Sequence, residues 1–89
     1  MIEKQLTIIN KLGLHARAAA KLINITAHCA SEVKIEKQGR EVNGKSIMAV
    51  MMLAASKGTE LTFHIEGEDE TETMKAIEEL INNRFDEPE

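Results

Sequence analysis

Residues 60–81 read ELTFHIEGEDETETMKAIEELI, and the spacing of the apolar residues changes in the middle of this stretch. The first seven residues alternate between polar and apolar side chains, which is typical of a β-strand with one apolar face. After the acidic segment 67–72, apolar residues recur every three or four positions, as in an amphipathic helix. Asp69 and Glu72 are placed to form a capping box at the start of that helix. The stretch predicts a strand followed by a helix.

The same two spacings recur in the rest of the chain. Alternating apolar residues predict a strand around Leu6 and a hairpin near residues 32–43, where a glycine supplies the turn. Helical spacing predicts one helix over residues 16–27 and a shorter one over residues 47–54, with Ser46 as the N-cap of the shorter helix. The predicted order of elements is βαββαβα.

This order predicts an α+β fold, a two-layer open-faced sandwich with three helices on one face of a four-stranded antiparallel sheet. The order of the strands within the sheet does not follow from these patterns. A chain of 89 residues suits one domain spanning residues 1–89. The last four residues, Asp-Glu-Pro-Glu, are expected to form a frayed polar tail without a role.

Composition and charge argue against several classes of function. Apolar residues make up 43% of the chain, but no run approaches the roughly 20 apolar residues of a membrane span. The N-terminus lacks the pattern of a secretion signal, and Cys29 is the only cysteine, which fits a reducing compartment. A net charge of −4 and two aromatic residues suit neither the electrostatics nor the base stacking of nucleic-acid binding. We expect a cytoplasmic monomer that neither binds nucleic acid nor inserts into a membrane.

His15 stands at the end of a loop, directly before the predicted alanine-rich helix. The backbone N–H groups of Ala16, Arg17 and Ala18, together with the helix dipole, favour binding of an anion such as phosphate. A neutral imidazole has a nitrogen lone pair that can attack phosphorus, and Arg17 adds a positive charge beside it. Phosphoryl transfer needs little more than such a nucleophile and charge stabilisation. The same pattern also fits a histidine that only ends the loop and faces solvent.

Two segments resemble the motifs of one family, the histidine-containing phosphocarriers called HPr. The sequence GLHARAAAK at residues 13–21 resembles the family signature GLHARPAA, and VNGKSIMAVMML at residues 42–53 resembles its second motif. The two motifs lie at the family's usual separation, and the resemblance spans essentially the whole chain. It implies a pros-phosphohistidine at His15, steadied by Arg17.

The resemblance also implies partners. Phosphorylated enzyme I would supply the phosphoryl group, ultimately from phosphoenolpyruvate, and an enzyme IIA domain would accept it. The motifs are shared by the sugar-type and the nitrogen-related branches of the phosphotransferase system, so the branch and the acceptor stay open. Ala18 departs from the signature, which has proline in this first helical turn. We expect this alanine to change transfer rates without abolishing transfer.

The second motif predicts a regulatory residue and a docking surface. Ser46 can act purely as a helix cap, but the matching serine in some relatives is phosphorylated by a dedicated kinase. An HPr serine kinase/phosphorylase is therefore a candidate partner. Ile47, Met48, Met51 and Met52 span too wide an arc of a short helix to be buried together, so some should face outward and contact partner proteins. Met51 fits the core equally well.

The remaining histidines and acidic residues predict no further site. His64 is expected on the solvent side of a strand and His28 near a helix C-terminus, and the pair His28-Cys29 is too little for zinc. Residues 68–72 fit helix capping better than paired-carboxylate catalysis. We expect no metal, no cofactor and no independent enzymatic activity. Two alternatives stay open: a regulatory HPr-like binding module, and a small metal-independent phosphohistidine phosphatase.

Overall fold

The computed structural model describes residues 1–89 and confirms the predicted order βαββαβα. The strands are β1 (Ile2–Thr7), β2 (Glu32–Lys37), β3 (Arg40–Asn43) and β4 (Glu60–Glu66), and the helices are α1 (Ala16–Thr26), α2 (Ile47–Met51) and α3 (Glu70–Asn82). A short 3₁₀ turn over Arg84–Asp86 follows α3. No helix combines the length and the apolar character that a membrane span requires.

All neighbouring strands are antiparallel, in the order β1-β4-β2-β3. Strand β4 therefore lies inside the sheet, between the first strand and the hairpin. In the register, Leu6 lies opposite Leu61 and Ile35 opposite Phe63, so the apolar faces of all three strands coincide. The helices cover this face, and the other face is open. The predicted two-layer α+β sandwich is confirmed.

One core of eighteen buried hydrophobic residues lies between the sheet and the helices. Phe63 of the sheet, Leu22 of α1 and Ile77 of α3 have no exposed surface. Helix α2 is only five residues long and buries a single residue, Val50. The other apolar side chains of this short helix are consequently left for the surface.

Helix α3 begins after Asp69 as predicted, but the capping box is wrong. Asp69 has φ −104° and ψ 25°, which is not the extended conformation that aims an N-cap side chain at its own helix. Its carboxylate instead accepts hydrogen bonds from the backbone N–H groups of Ala30 and Ser31, at 2.9 and 3.0 Å, and from the Ser31 hydroxyl. The bond from this hydroxyl is the main reason that the pKa of Asp69 lies below its ordinary value. Glu70, rather than Glu72, reaches back to a loop N–H.

The C-terminal residues are not a frayed tail. Arg84, Phe85 and Asp86 have φ values of 54°, 53° and 63°, so the chain makes a tight left-handed turn after α3. Phe85 is fully buried, and burial of its ring offsets the cost of this backbone conformation. The Lys21 ammonium donates a hydrogen bond to the carbonyl oxygen of Phe85 at 2.8 Å. The turn directs residues 87–89 back to the start of α1.

Candidate functional site

His15 is the N-cap residue of α1, with an extended backbone at φ −78° and ψ −179°. The first intrahelical bond runs from the N–H of Ala19 to the His15 carbonyl at 2.8 Å, and no side chain caps this end of the helix. Ala16 and Arg17 are exposed, whereas Ala18 has no exposed surface. The first two residues of the helix therefore supply the accessible donors for an anion.

The loop before His15 packs tightly against the segment that follows α2. Gly13 has φ +70°, and a Cβ at this position would lie 2.6 Å from the carbonyl oxygen of Ala55. The N–H of Leu14 donates to the same carbonyl at 2.8 Å, and the Leu14 side chain is buried. A larger residue than glycine would collide with the backbone here. The motif glycine thus fixes where the loop delivers the imidazole.

The imidazole of His15 is held by Glu87, a residue that the sequence analysis missed. Nε2 of His15 is hydrogen-bonded to Oε2 of Glu87, and the two side chains are 28% and 13% exposed. Because the carboxylate accepts a hydrogen bond from Nε2–H, the contact favours the tautomer in which Nδ1 keeps its lone pair. The bond from His15 is the main reason that the pKa of Glu87 lies below its ordinary value; partial desolvation opposes the effect, and a bond from Asn10 adds to it.

Asn10 joins the loop and the C-terminal tail into one unit around this histidine. Its side chain is fully buried, and Nδ2 donates to the Gly13 carbonyl at 2.8 Å and to Oε1 of Glu87 at 3.0 Å. The backbone N–H of Lys11 donates to the carbonyl of Glu89 at 2.9 Å, and their side chains form an ion pair at 3.2 Å. These contacts keep the tail against the imidazole.

A cleft opens beside His15, between the loop, the start of α1 and the tail. Arg17 and Lys11 bring positive charge to it, and Lys21 lies nearby on α1. Lys11 pairs with Glu89, and Lys21 lies 3.5 Å from a carboxylate oxygen of Asp86. Arg17 forms no ion pair, so its guanidinium is the cation available to an incoming anion.

Helix α2 presents the apolar side chains that were predicted for docking. Ile47, Met48, Met51 and Met52 are 39%, 68%, 40% and 60% exposed, and Val50 alone points into the core. Met51 is therefore not core filler. Ile47, Met48 and Met51 of α2, with the C-cap residue Met52, form an apolar surface whose methionines can fit differently shaped partners.

Ser46 and Leu12 flank the docking helix and the carrier histidine, respectively. The hydroxyl of Ser46 accepts a hydrogen bond from the N–H of Ala49 at 3.3 Å, so the predicted capping role is confirmed. Leu12 is 67% exposed and lines the cleft beside His15. Leu12 was not predicted from the sequence, although a leucine directly after the polar residues Asn10 and Lys11 and next to a motif was a usable signal.

Comparison with known proteins assigns the family. Residues 2–83 match PTS-HPr, the PTS HPr component phosphorylation site. The chain is 58% identical over 86 residues to the phosphocarrier protein HPr of Pseudomonas aeruginosa, with 96% of each chain covered. The chain belongs to the HPr family. The HPr of Xylella fastidiosa is 54% identical over 87 residues, with 98% of both chains covered.

Solved structures of HPr agree with this assignment. The crystal structure of HPr from Thermoanaerobacter tengcongensis superposes with a TM-score of 0.96 at 40% identity, covering the whole of both chains. The phosphocarrier HPr of Bacillus anthracis superposes with a TM-score of 0.86 at 35% identity, covering 90% of this chain and 95% of the other. This HPr-family chain is a phosphocarrier of the phosphotransferase system.

Proposed function

We propose that this chain carries the phosphoryl group on Nδ1 of His15, as a pros-phosphohistidine. The observation that carries the proposal is the bond between Nε2 of His15 and Glu87, because it leaves Nδ1 as the nucleophilic nitrogen at the start of α1. The Nδ1 lone pair attacks phosphorus, the N–P bond forms, and the bond from phosphorus to the donor breaks with its electrons returning to the donor. The resulting ring keeps its proton on Nε2 and is positively charged, and the Glu87 carboxylate stabilises it.

The moving phosphoryl group is stabilised by groups already in place. The N–H groups of Ala16, Arg17 and Ala18 lie in the first turn of α1, which no side chain caps. The Arg17 guanidinium, which has no carboxylate partner, reaches the phosphoryl oxygens without first breaking an ion pair. These donors cost no reorganisation, which suits a carrier that must both accept and release the group.

The donor is phosphorylated enzyme I, and the acceptor is an enzyme IIA-type protein. Both dock on the exposed side chains of α2 and its C-cap residue, which are Ile47, Met48, Met51 and Met52. Residues 1–89 act as one cytoplasmic domain. Ser46 is the site for an HPr serine kinase/phosphorylase, since a phosphate there would add about −1.5 to −2 charge beside an apolar docking surface. Such a charge would have to be desolvated whenever a partner binds.

Intact-mass measurement after incubation with phosphoenolpyruvate and purified enzyme I tests the proposal. We expect one phosphoryl group on the wild-type chain, lost in mild acid, and none on His15→Ala. The variant His28→Ala is the matched control and should be phosphorylated normally, because the His28 side chain bonds only to the carbonyl of Asn24, away from the carrier site. A phosphorylated His15→Ala variant would refute the site assignment.

A second step separates the carrier from its alternatives. Phosphorylated chain is mixed with an enzyme IIA protein, and we expect the phosphoryl group to move to that protein in stoichiometric amounts. Stable docking without any transfer would support the regulatory binding module instead. Release of inorganic phosphate over many turnovers would support a phosphatase and contradict the carrier function.

A further inference from the structure

The open face of the sheet, opposite the helices, is strongly acidic. Strand alternation and register place six glutamates on it, with Lys34 as the only lysine and His64 near the centre. Two pairs of these glutamates are direct cross-strand neighbours, which is unfavourable for a sheet. The six are Glu3 of β1, Glu32 and Glu36 of β2, Glu41 of β3, and Glu60 and Glu66 of β4. This face therefore favours a bound cation.

The ring of His64 lies between two carboxylates on neighbouring strands. Nδ1 is 2.9 Å from Oε2 of Glu3, and Nε2 is 3.3 Å from Oε1 of Glu36. A neutral imidazole has a single N–H and cannot donate to both. When the proton lies on Nδ1 and is donated to Glu3, the Nε2 lone pair faces a carboxylate oxygen. That arrangement is repulsive unless a second proton or a metal ion lies between the two atoms.

Glu41 completes a set of three ligands. One donor atom each from Glu36, Glu41 and His64 lies within 4.8 Å of the other two. The His64 side chain is 17% exposed, whereas those of Glu36 and Glu41 are 37% and 46% exposed, so both carboxylates have room to turn toward an ion. Lys34 is the competing cation, at 3.8 Å from Glu41 and 3.5 Å from Glu32. It keeps Glu32 as a partner when Glu41 turns to a metal ion.

The geometry points to a zinc site formed by Nε2 of His64 and the carboxylates of Glu36 and Glu41, with water as the remaining ligand. One imidazole and two carboxylates form a set that suits Zn²⁺, whereas Mg²⁺ and Ca²⁺ take oxygen ligands. Glu3 accepts a hydrogen bond from Nδ1–H and thereby fixes the tautomer of His64. A carboxylate commonly has this role toward a zinc-bound histidine. The site lies on the opposite side of the sheet from the helices and uses none of the residues of the phosphocarrier site.

Calorimetric titration of the full chain with ZnCl₂ at neutral pH tests this site. We expect one bound ion, and an affinity lower by at least about tenfold for His64→Ala and for the double variant Glu36→Gln/Glu41→Gln. Glu3→Gln should weaken binding by about tenfold, since it removes only the partner that orients the ring. His28→Ala and His15→Ala are the matched controls and should bind like the wild type. Circular dichroism shows whether each variant is folded.

Two results would overturn the zinc site. One is unchanged zinc affinity in both His64→Ala and the double variant, which would place any bound ion elsewhere. The other is displacement of Zn²⁺ by Mg²⁺ at similar concentrations, which would mean that the acidic face attracts cations without coordinating them. NMR spectra should instead show zinc-dependent changes in the ring signals of His64 and not in those of His15.

Discussion

Truncation of Met48 to alanine should weaken docking of the phosphoryl donor by about 5- to 30-fold and leave the fold intact. Full burial of a methionine side chain contributes about 1.5–3 kcal/mol. Met48 is still 68% exposed in the isolated chain. About two thirds of that free energy, roughly 1–2 kcal/mol, is therefore gained only when a partner covers it. Met48→Asp should have a larger effect, because docking would then bury an unpaired charge.

Steady-state phosphorylation by enzyme I, with the chain as the varied substrate, measures this effect. For Met48→Ala we expect KM to rise by about 5- to 30-fold while kcat changes little, since Met48 takes no part in the chemistry. Lys75→Ala, an exposed change on α3, is the control and should leave both constants unchanged. Thermal unfolding should give the same midpoint for the wild type, both Met48 variants and Lys75→Ala. If KM stays at the wild-type value in both Met48 variants, α2 is not the docking surface.

Three further predictions concern the tail and the start of α3. Glu87→Gln should lower kcat for phosphorylation by about tenfold, because a neutral amide stabilises the charged ring less well. If the ¹⁵N signals of the His15 ring are the same in this variant as in the wild type, Glu87 does not have this role. Phe85→Ala should lower the free energy of unfolding by about 3–5 kcal/mol in urea denaturation, and a loss below about 1 kcal/mol would mean that the tail is not anchored by this ring. Asp69→Asn should lower the thermal midpoint at pH 7. The pKa of Asp69 is lowered in the fold, so its contribution is present above the ordinary value of 3.8 and is lost as the pH falls through the lowered pKa. The thermal midpoints of the wild type and Asp69→Asn should therefore converge in acid. A difference that persists there would contradict a stabilising role of the ionised Asp69.

The element order was predictable because each strand and helix carries its own periodic pattern. The pairing of β1 with β4 was not, since it joins segments separated by two helices and a hairpin and depends on how their apolar faces pack together. The capping box at Asp69 failed for a local reason. The backbone angle at this residue, set by its bonds to Ser31 and Ala30, turns the carboxylate away from the helix.

The part of the carrier site that lies in one continuous segment was predictable from the sequence. His15 and the helix that follows it lie in one continuous segment, so their relation is visible in the sequence. Glu87 comes from a short polar tail whose composition suggests fraying, and only the buried Phe85 and its left-handed turn bring it back. The cluster around His64 takes one residue from each of the four strands, so it exists only once the strand order is known.

The interior position of β4 has a consequence for biosynthesis. Strand β1 has no partner other than β4, and β2 can pair only with β3 until β4 is present. During translation, the sheet beyond the hairpin cannot assemble before residue 66 has left the ribosome, and the buried ring of Phe85 follows later still. Because the tail that holds His15 is translated after all four strands, a chain cut short before Glu87 would lack the contact that orients the imidazole. Incomplete translation products should therefore compete poorly for the phosphoryl donor.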